Sequence, residues 1–136
     1  RASVLRPSDT WDGTWPTDDS DNPPQLINLE SAKARMGGDS TLVVDLANFF
    51  LEDGPNLLKE LEAGLRNQQA DTVERAAHSL KGLSANFDAE HLATLSMVIE
   101  DLARNEDFSA VQQRLDELKR SLRSVIAELK LHLNLP

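Results

Sequence analysis

From Leu26 to the end of the chain, apolar residues recur every three or four positions, and no segment alternates with the period of two that a half-buried strand requires. A chain patterned this way has one class of solution, helices packed on helices. The punctuation divides it into five. Asn28 is placed to cap a short helix over Leu29 to Met36, which Gly37-Gly38 closes. Asp39 caps a long second helix with the stripe Leu42, Leu46, Phe49, Phe50, Leu57, Leu61 and Leu65. Pro55 sits inside it, where its ring clashes with the Leu51 carbonyl, so a kink near Gly54 is expected. Asp71 and Glu74 have the spacing of a capping box and open a third helix, running to about Asn86, with the stripe Val73, Ala76, Leu80, Leu83 and Phe87. Asp88 reads as the cap of a fourth, with Leu92, Leu95, Val98, Ile99 and Leu102 inward. Asp107 reads as the cap of a fifth, with Val111, Leu115, Leu118, Leu122, Val125, Ile126 and Leu129 inward. Four long amphipathic helices joined by short turns predict an all-α, antiparallel up-down-up-down four-helix bundle, with the short first helix covering one end.

Residues 1–25 carry Pro7, Pro16, Pro23 and Pro24, the acidic residues Asp18, Asp19 and Asp21, and no helical period, so they read as an extended linker ahead of a bundle domain at 26–136. Trp11 and Trp15 are unusual in a solvating segment; they either dock loosely or not at all, or clip onto the helical domain or onto a preceding domain. A formal net charge of −9 argues against nucleic acid as a partner, since phosphate binding needs a basic face. The absence of cysteine excludes disulfides and thiolate metal sites. No apolar run has the length of a membrane span and no signal peptide opens the chain, so no membrane contact by this domain and a cytoplasmic setting are expected. The first residue is Arg1 rather than methionine, which suggests a piece of a longer polypeptide, and a membrane anchor belongs to the rest if there is one.

The run His78-Ser79-Leu80-Lys81-Gly82 carries the chemistry. At about 100° per residue, His78 lies roughly 160° from the centre of its own helix's apolar stripe, so it faces solvent. Lys81 at i+3 and Gly82 at i+4 are its helical neighbours, and Ala85 at i+7 extends the same face with another small group. The set is a nucleophilic nitrogen, a cation able to hold a phosphoryl group, and a surface stripped of bulk for close approach by a second protein. Gly82 costs on the order of 1 kcal/mol relative to alanine inside a helix, and the segment accepts that cost beside its outward histidine. Ser84 points to the core side. His91 and His132 lack such neighbours and read as surface residues, and three histidines at these spacings give no metal site. No Gly-x-Ser-x-Gly elbow, phosphate loop or paired catalytic acid is present, which leaves no basis for an ordinary hydrolase or transferase.

His78-Ser79-Leu80-Lys81-Gly82, followed by Ser84, Asn86 and Phe87, resembles the active-site helix of histidine-containing phosphotransfer (HPt) domains, whose pattern is His-x-x-Lys-Gly with a small residue two positions on. The resemblance runs from about Ile27 to Leu133 and takes in the Gly37-Gly38-Asp39 turn, Phe49-Phe50-Leu51-Glu52-Asp53, Pro55 and the segment from Ala89 to Leu95. The family usually has glycine ten residues after the histidine; here Asp88 stands there, a residue that tolerates unusual backbone angles. The resemblance implies a phosphorelay carrier without an ATP site of its own. His78 accepts a phosphoryl group from a receiver-domain aspartyl phosphate and passes it to another receiver, Lys81 steadies the phosphate, and Gly82, Ala85, Glu74 and Arg75 meet the partner. No cofactor is expected in this domain, Mg²⁺ being the receiver's. Glu74, at i−4, is placed to orient the imidazole, in competition with its capping-box role. A monomer at the C-terminus of a hybrid sensor histidine kinase is the expected setting. Two other readings stay open: the dimerisation and phosphoacceptor domain of a histidine kinase, which places an acidic residue directly after the histidine where this chain has Ser79, and a receiver-docking or purely structural bundle that transfers nothing.

Overall fold

The computed structural model describes residues 26–135; residues 1–25, read above as a linker, with Trp11 and Trp15, lie outside the described residues. Five helices follow one another: α1 (Leu29–Arg35), α2 (Ser40–Arg66), α3 (Ala70–Ala85), α4 (Glu90–Arg104) and α5 (Phe108–Leu133). No strand occurs among the described residues. Three of the expected caps form: the side chains of Asn28, Asp39 and Asp107 accept from the amides of Ser31, Leu42 and Ala110 at 3.0, 3.1 and 3.1 Å. Two do not. Helix α3 begins at Ala70 behind Gln69, with no side-chain cap, so Asp71 lies in the first turn and no capping box forms. Helix α4 begins behind Ala89, also uncapped by a side chain, because Asp88 is used otherwise.

The use of Asp88 follows from how these helices end. At all five C-termini an amide donates five residues back: Gly38 to Lys33, Gln69 to Gly64, Ala89 to Ser84, Asp107 to Leu102 and Leu135 to Lys130, at 2.8–3.0 Å. This closure needs one left-handed residue just before the donor, and Gly37, Gln68, Asp88, Glu106 and Asn134 supply it with φ between 53° and 73°. At Gly37 the conformation is free; at Gln68, Asp88 and Glu106 a side chain bears it at about 1–2 kcal/mol each. Asp88, with φ 53°, therefore occupies a position whose backbone favours glycine.

Helix α3 packs between α2 and α4, α4 packs on α5, and α5 returns to α2, closing a four-helix bundle that α1 joins along α2. Cross-helix pairs run antiparallel: Glu74 with Arg104 and His78 with Glu100 between α3 and α4. The core is aliphatic except for Phe50 and Phe87, whose rings meet edge to face at 6.0 Å. Helix α5 buries Val111, Leu115, Leu118, Leu122, Val125 and Leu129 as its stripe predicts, with Ile126 partly covered.

Helix α2 is turned from the expected register. It buries Val43, Ala47, Phe50, Gly54, Leu61, Gly64 and Leu65, and leaves Leu42 and Phe49 exposed at 39% and 48%. Small residues decide this. A Cβ on Gly64 would stand 2.9 Å from Thr72 Cγ2 and 3.0 Å from Val73 Cγ2, and one on Gly54 would stand 3.3 Å from Leu122 Cδ1. The neighbouring helices approach where α2 has no side chain, and the larger apolar residues beside that seam turn outward. Helix α2 continues through Pro55 without ending there.

The glycines on the two sides of the bundle should respond oppositely to alanine. Gly64→Ala forces a methyl group into Thr72 and Val73 and is expected to destabilise by about 1–3 kcal/mol. Gly82→Ala meets nothing within 4 Å and should gain up to about 1 kcal/mol from helix propensity. Urea unfolding of the two variants reads both signs.

Candidate functional site

His78 projects from the middle of α3 into the groove beside α4, its side chain 64% exposed. Its Nδ1 lies 2.8 Å from Glu100 Oε2. Glu100 sits on the flank of the inward face of α4, its side chain only 8% exposed, and its other oxygen accepts from Lys81 Nζ at 3.1 Å. Arg104, one turn on, donates to Glu100 Oε2 from Nη2 at 3.3 Å, to Glu74 Oε2 from Nε at 3.0 Å and to Asp101 Oδ1 from Nη1 at 3.0 Å. Burial pushes the Glu100 carboxyl up, but hydrogen bonds from Lys81 and His78, reinforced by their charges, outweigh it and hold the group below the ordinary glutamate range. Bonding to Glu74 pushes Arg104 further up.

An ionised carboxylate only accepts, so the proton between Glu100 and His78 belongs to Nδ1. In the neutral ring, Nε2 then carries the lone pair on the side away from Glu100. The arrangement is an exposed imidazole held through Nδ1 by a nearly buried acid.

The residues expected at the site fall into two groups. His78 and Lys81 meet at Glu100, and Glu74 joins the cluster through Arg104 rather than by orienting the imidazole, the place Glu100 takes. Gly82 and Ala85 stay exposed on the same helix, with open space around Gly82 and the Ala85 carbonyl accepting from Arg35. Arg75 instead lines a shallow hollow with Gln68, Asp71 and Glu106 at the end of the bundle. Ser84 is buried and donates to the Leu80 carbonyl at 2.7 Å. His91 and His132 are surface residues beside Glu117 and Glu128. No group of acids and histidines among the described residues is arranged to hold a metal ion.

Glu100 and Arg104 were outside the sequence expectation. The signal lay in the period of α4, whose buried positions are Leu92, Leu95, Ser96, Ile99, Glu100 and Ala103. An acid on such a face must find donors across the helix interface.

A family model described as "Hpt domain" matches residues 45–128, with His78, Lys81, Glu100 and Arg104 inside the match. The chain belongs to the Hpt domain family. Among solved structures, it is similar to histidine-containing phosphotransfer protein B (HptB) from Pseudomonas aeruginosa PAO1, with a TM-score of 0.73 and 22% identity over 79% of this chain and 93% of that one, a likeness of fold. None of the curated proteins matches.

In this Hpt domain the turn after the histidine helix is clamped by α1. Arg35 donates to Asp88 at 3.1 Å and to the carbonyls of Ala85 and Asn86 at 3.0 Å each. Hydrogen bonds from Ser31 and Arg35 hold the Asp88 carboxyl below the ordinary aspartate range. No helix among the described residues is long and apolar enough to cross a membrane.

Because the Glu100 carboxyl is held low in the folded state, its ionised form contributes stability that is complete above the ordinary glutamate range and is lost as pH falls through the lowered value. The stability advantage of wild type over Glu100→Gln should therefore shrink as pH drops below about 4.3. Urea unfolding from pH 7 to pH 3 checks it; parallel profiles would show that Glu100 is not held ionised by its partners.

Proposed function

We propose that this domain is the phosphocarrier of a His-Asp phosphorelay, with His78 as the residue that carries the phosphoryl group. The observation that supports this most is the pairing of Nδ1 with Glu100, which in the neutral ring puts the lone pair on Nε2, on an imidazole open to solvent. In the forward step Nε2 donates its lone pair to the phosphorus of a receiver's aspartyl phosphate. The N–P bond forms, the O–P bond breaks, and its electron pair returns to the aspartate as carboxylate. Nδ1 keeps its proton during the transfer itself, so no base is needed. The onward step is the reverse with a second receiver. The ring that remains is the tautomer that began the cycle.

Each other residue has a limited part. Lys81 spends one donor on Glu100 and, as an ammonium, has two more for phosphoryl oxygens. Gly82 and Ala85 let the receiver's backbone come close to His78. The register of α3 on α4 puts Met97, 44% exposed, toward the same end as Gly82, where it offers an apolar contact. The receiver brings Mg²⁺ and the acidic pocket. A monomer leaves this face open. The setting as the C-terminal part of a hybrid sensor kinase on the cytoplasmic side of a membrane belongs to the same proposal, and rests on the resemblance and on the acidic, proline-containing segment ahead of the bundle.

Incubation with a phosphorylated receiver and Mg²⁺ should place acid-labile phosphate on wild type and none on His78→Gln, whose helicity stays intact because the side chain is outside the core. Label persisting on the variant would move the acceptor to another residue. Gly82→Leu should fold, keep its intact histidine and yet accept phosphate more slowly from the receiver; an unchanged rate would remove close approach as the reason for glycine at that position.

A further inference from the structure

Arg104 lies outside the His-x-x-Lys-Gly pattern, and its guanidinium spends all three nitrogens on carboxylates: Glu74, Asp101 and Glu100. The oxygen it takes on Glu100 is Oε2, the atom that also accepts the Nδ1 proton of His78. The histidine sits at 2.8 Å and the guanidinium at 3.3 Å from that one oxygen, while Lys81 holds the other. Two donors on one oxygen draw on the same electron density, so what Arg104 takes is withheld from His78.

We propose that Arg104 is a positioning residue for His78, acting through the shared Glu100 oxygen to set how tightly the Nδ1 proton is held. The consequence for transfer rests on the phosphocarrier reading. Phosphorylation at Nε2 with the proton kept on Nδ1 leaves a cationic ring, from which the N–P electron pair returns to nitrogen easily. Loss of that proton leaves a neutral ring, a poorer leaving group, and a longer-lived phosphoramidate. A Glu100 fully committed to His78 favours the first state; a Glu100 shared with Arg104 permits the second. Glu74 and Asp101 keep the guanidinium in place for this sharing.

The charged groups around the Glu100 carboxylate are Glu74, His78 and Lys81 on α3 and Asp101 and Arg104 on α4. Among the described residues no ion pair reaches it from α2 or α5. Removing Arg104 leaves both the histidine and its acid intact, and its side chain is 54% exposed, so substitution there spares the core.

The test uses the full chain as wild type, Arg104→Gln and Arg104→Lys. Ring nitrogen-15 and proton NMR of His78 reads the Nδ1–H bond directly. Loading with phosphoramidate, which needs no receiver, then gives the lifetime of phosphohistidine against pH. In Arg104→Gln the Nδ1 proton should resonate further downfield. The pH profile for phosphate loss should move up by about half a pH unit, a threefold faster loss on its falling limb. Arg104→Lys restores the charge without the three-way fork and should remain with Arg104→Gln. Arg104→Gln matching wild type in both readouts would overturn the proposal. So would Arg104→Lys restoring wild type, because charge alone would then account for the effect. Failure of His78 to accept phosphate from any phosphorylated receiver would defeat the phosphocarrier reading and leave the NMR result on Arg104 standing.

Discussion

A carboxylate taken out of water loses hydration worth several kcal/mol, and it stays ionised only where charges and donors replace that hydration. Glu100 meets this condition through His78 and Lys81 from one helix and Arg104 from its own. The same three bonds that make its burial tolerable select the imidazole tautomer, anchor the lysine and pin α3 to α4 at the middle of the groove. Removing the acid would leave two cations without their shared partner. Removing the histidine alone leaves Glu100 still served by Lys81 and Arg104. The chemistry of the site is therefore more exposed to loss of Glu100 than the fold is to loss of His78.

Bringing α4 against α3 in that register depends on where α3 stops. The turn through Asn86, Phe87 and Asp88 uses a left-handed residue and the Ala89-to-Ser84 bond, and Phe87 drops its ring onto Phe50 in the core. From the outside, Arg35 gathers the last carbonyls of α3 and the Asp88 carboxylate. The Asn28 amide donates to the Phe87 carbonyl at 2.8 Å, so α1 holds this turn from both of its ends. The short first helix thus acts on the site at a distance, by fixing the phase with which α4 leaves the turn. Asp88 compensates for its strained backbone through this clamp, a bond that glycine cannot make.

Helix number, order and the outward placement of His78 were legible because they follow from apolar period and from residues of strong conformational preference. Asn28, Asp39 and Asp107 cap as their chemistry dictates. The failures share a cause. Leu42 and Phe49 fall on the apolar stripe of α2 by period, whereas Gly54 and Gly64 decide the seam by letting α5 and α3 approach closely. Asp88 has the composition of a cap, yet the helix before it claims its backbone for the left-handed closure. Glu74 has the right spacing to reach His78 along one helix, but a partner across the interface wins, since Glu100 approaches from the side where the imidazole lies. Local spacing reports what a residue is able to do; the interface decides which of those options is taken, and no one-helix pattern contains the register between two helices.

The balance of charge in the groove bears on why a carrier is built this way. Three carboxylates, Glu74, Glu100 and Asp101, face two permanent cations, Lys81 and Arg104, and Arg104 is committed to all three acids. Lys81, three residues from His78 on the same helix, offers donors to a phosphoryl group, and even these are tethered to Glu100. A site meant to retain phosphate surrounds it with several cations and backbone amides. Under the phosphocarrier reading, this groove holds the group by one covalent bond and one cation, so a receiver offering Mg²⁺ in its own pocket outcompetes it. Weak electrostatic retention with strong control of the ring nitrogen is the combination that lets a histidine accept a phosphoryl group without becoming its final resting place.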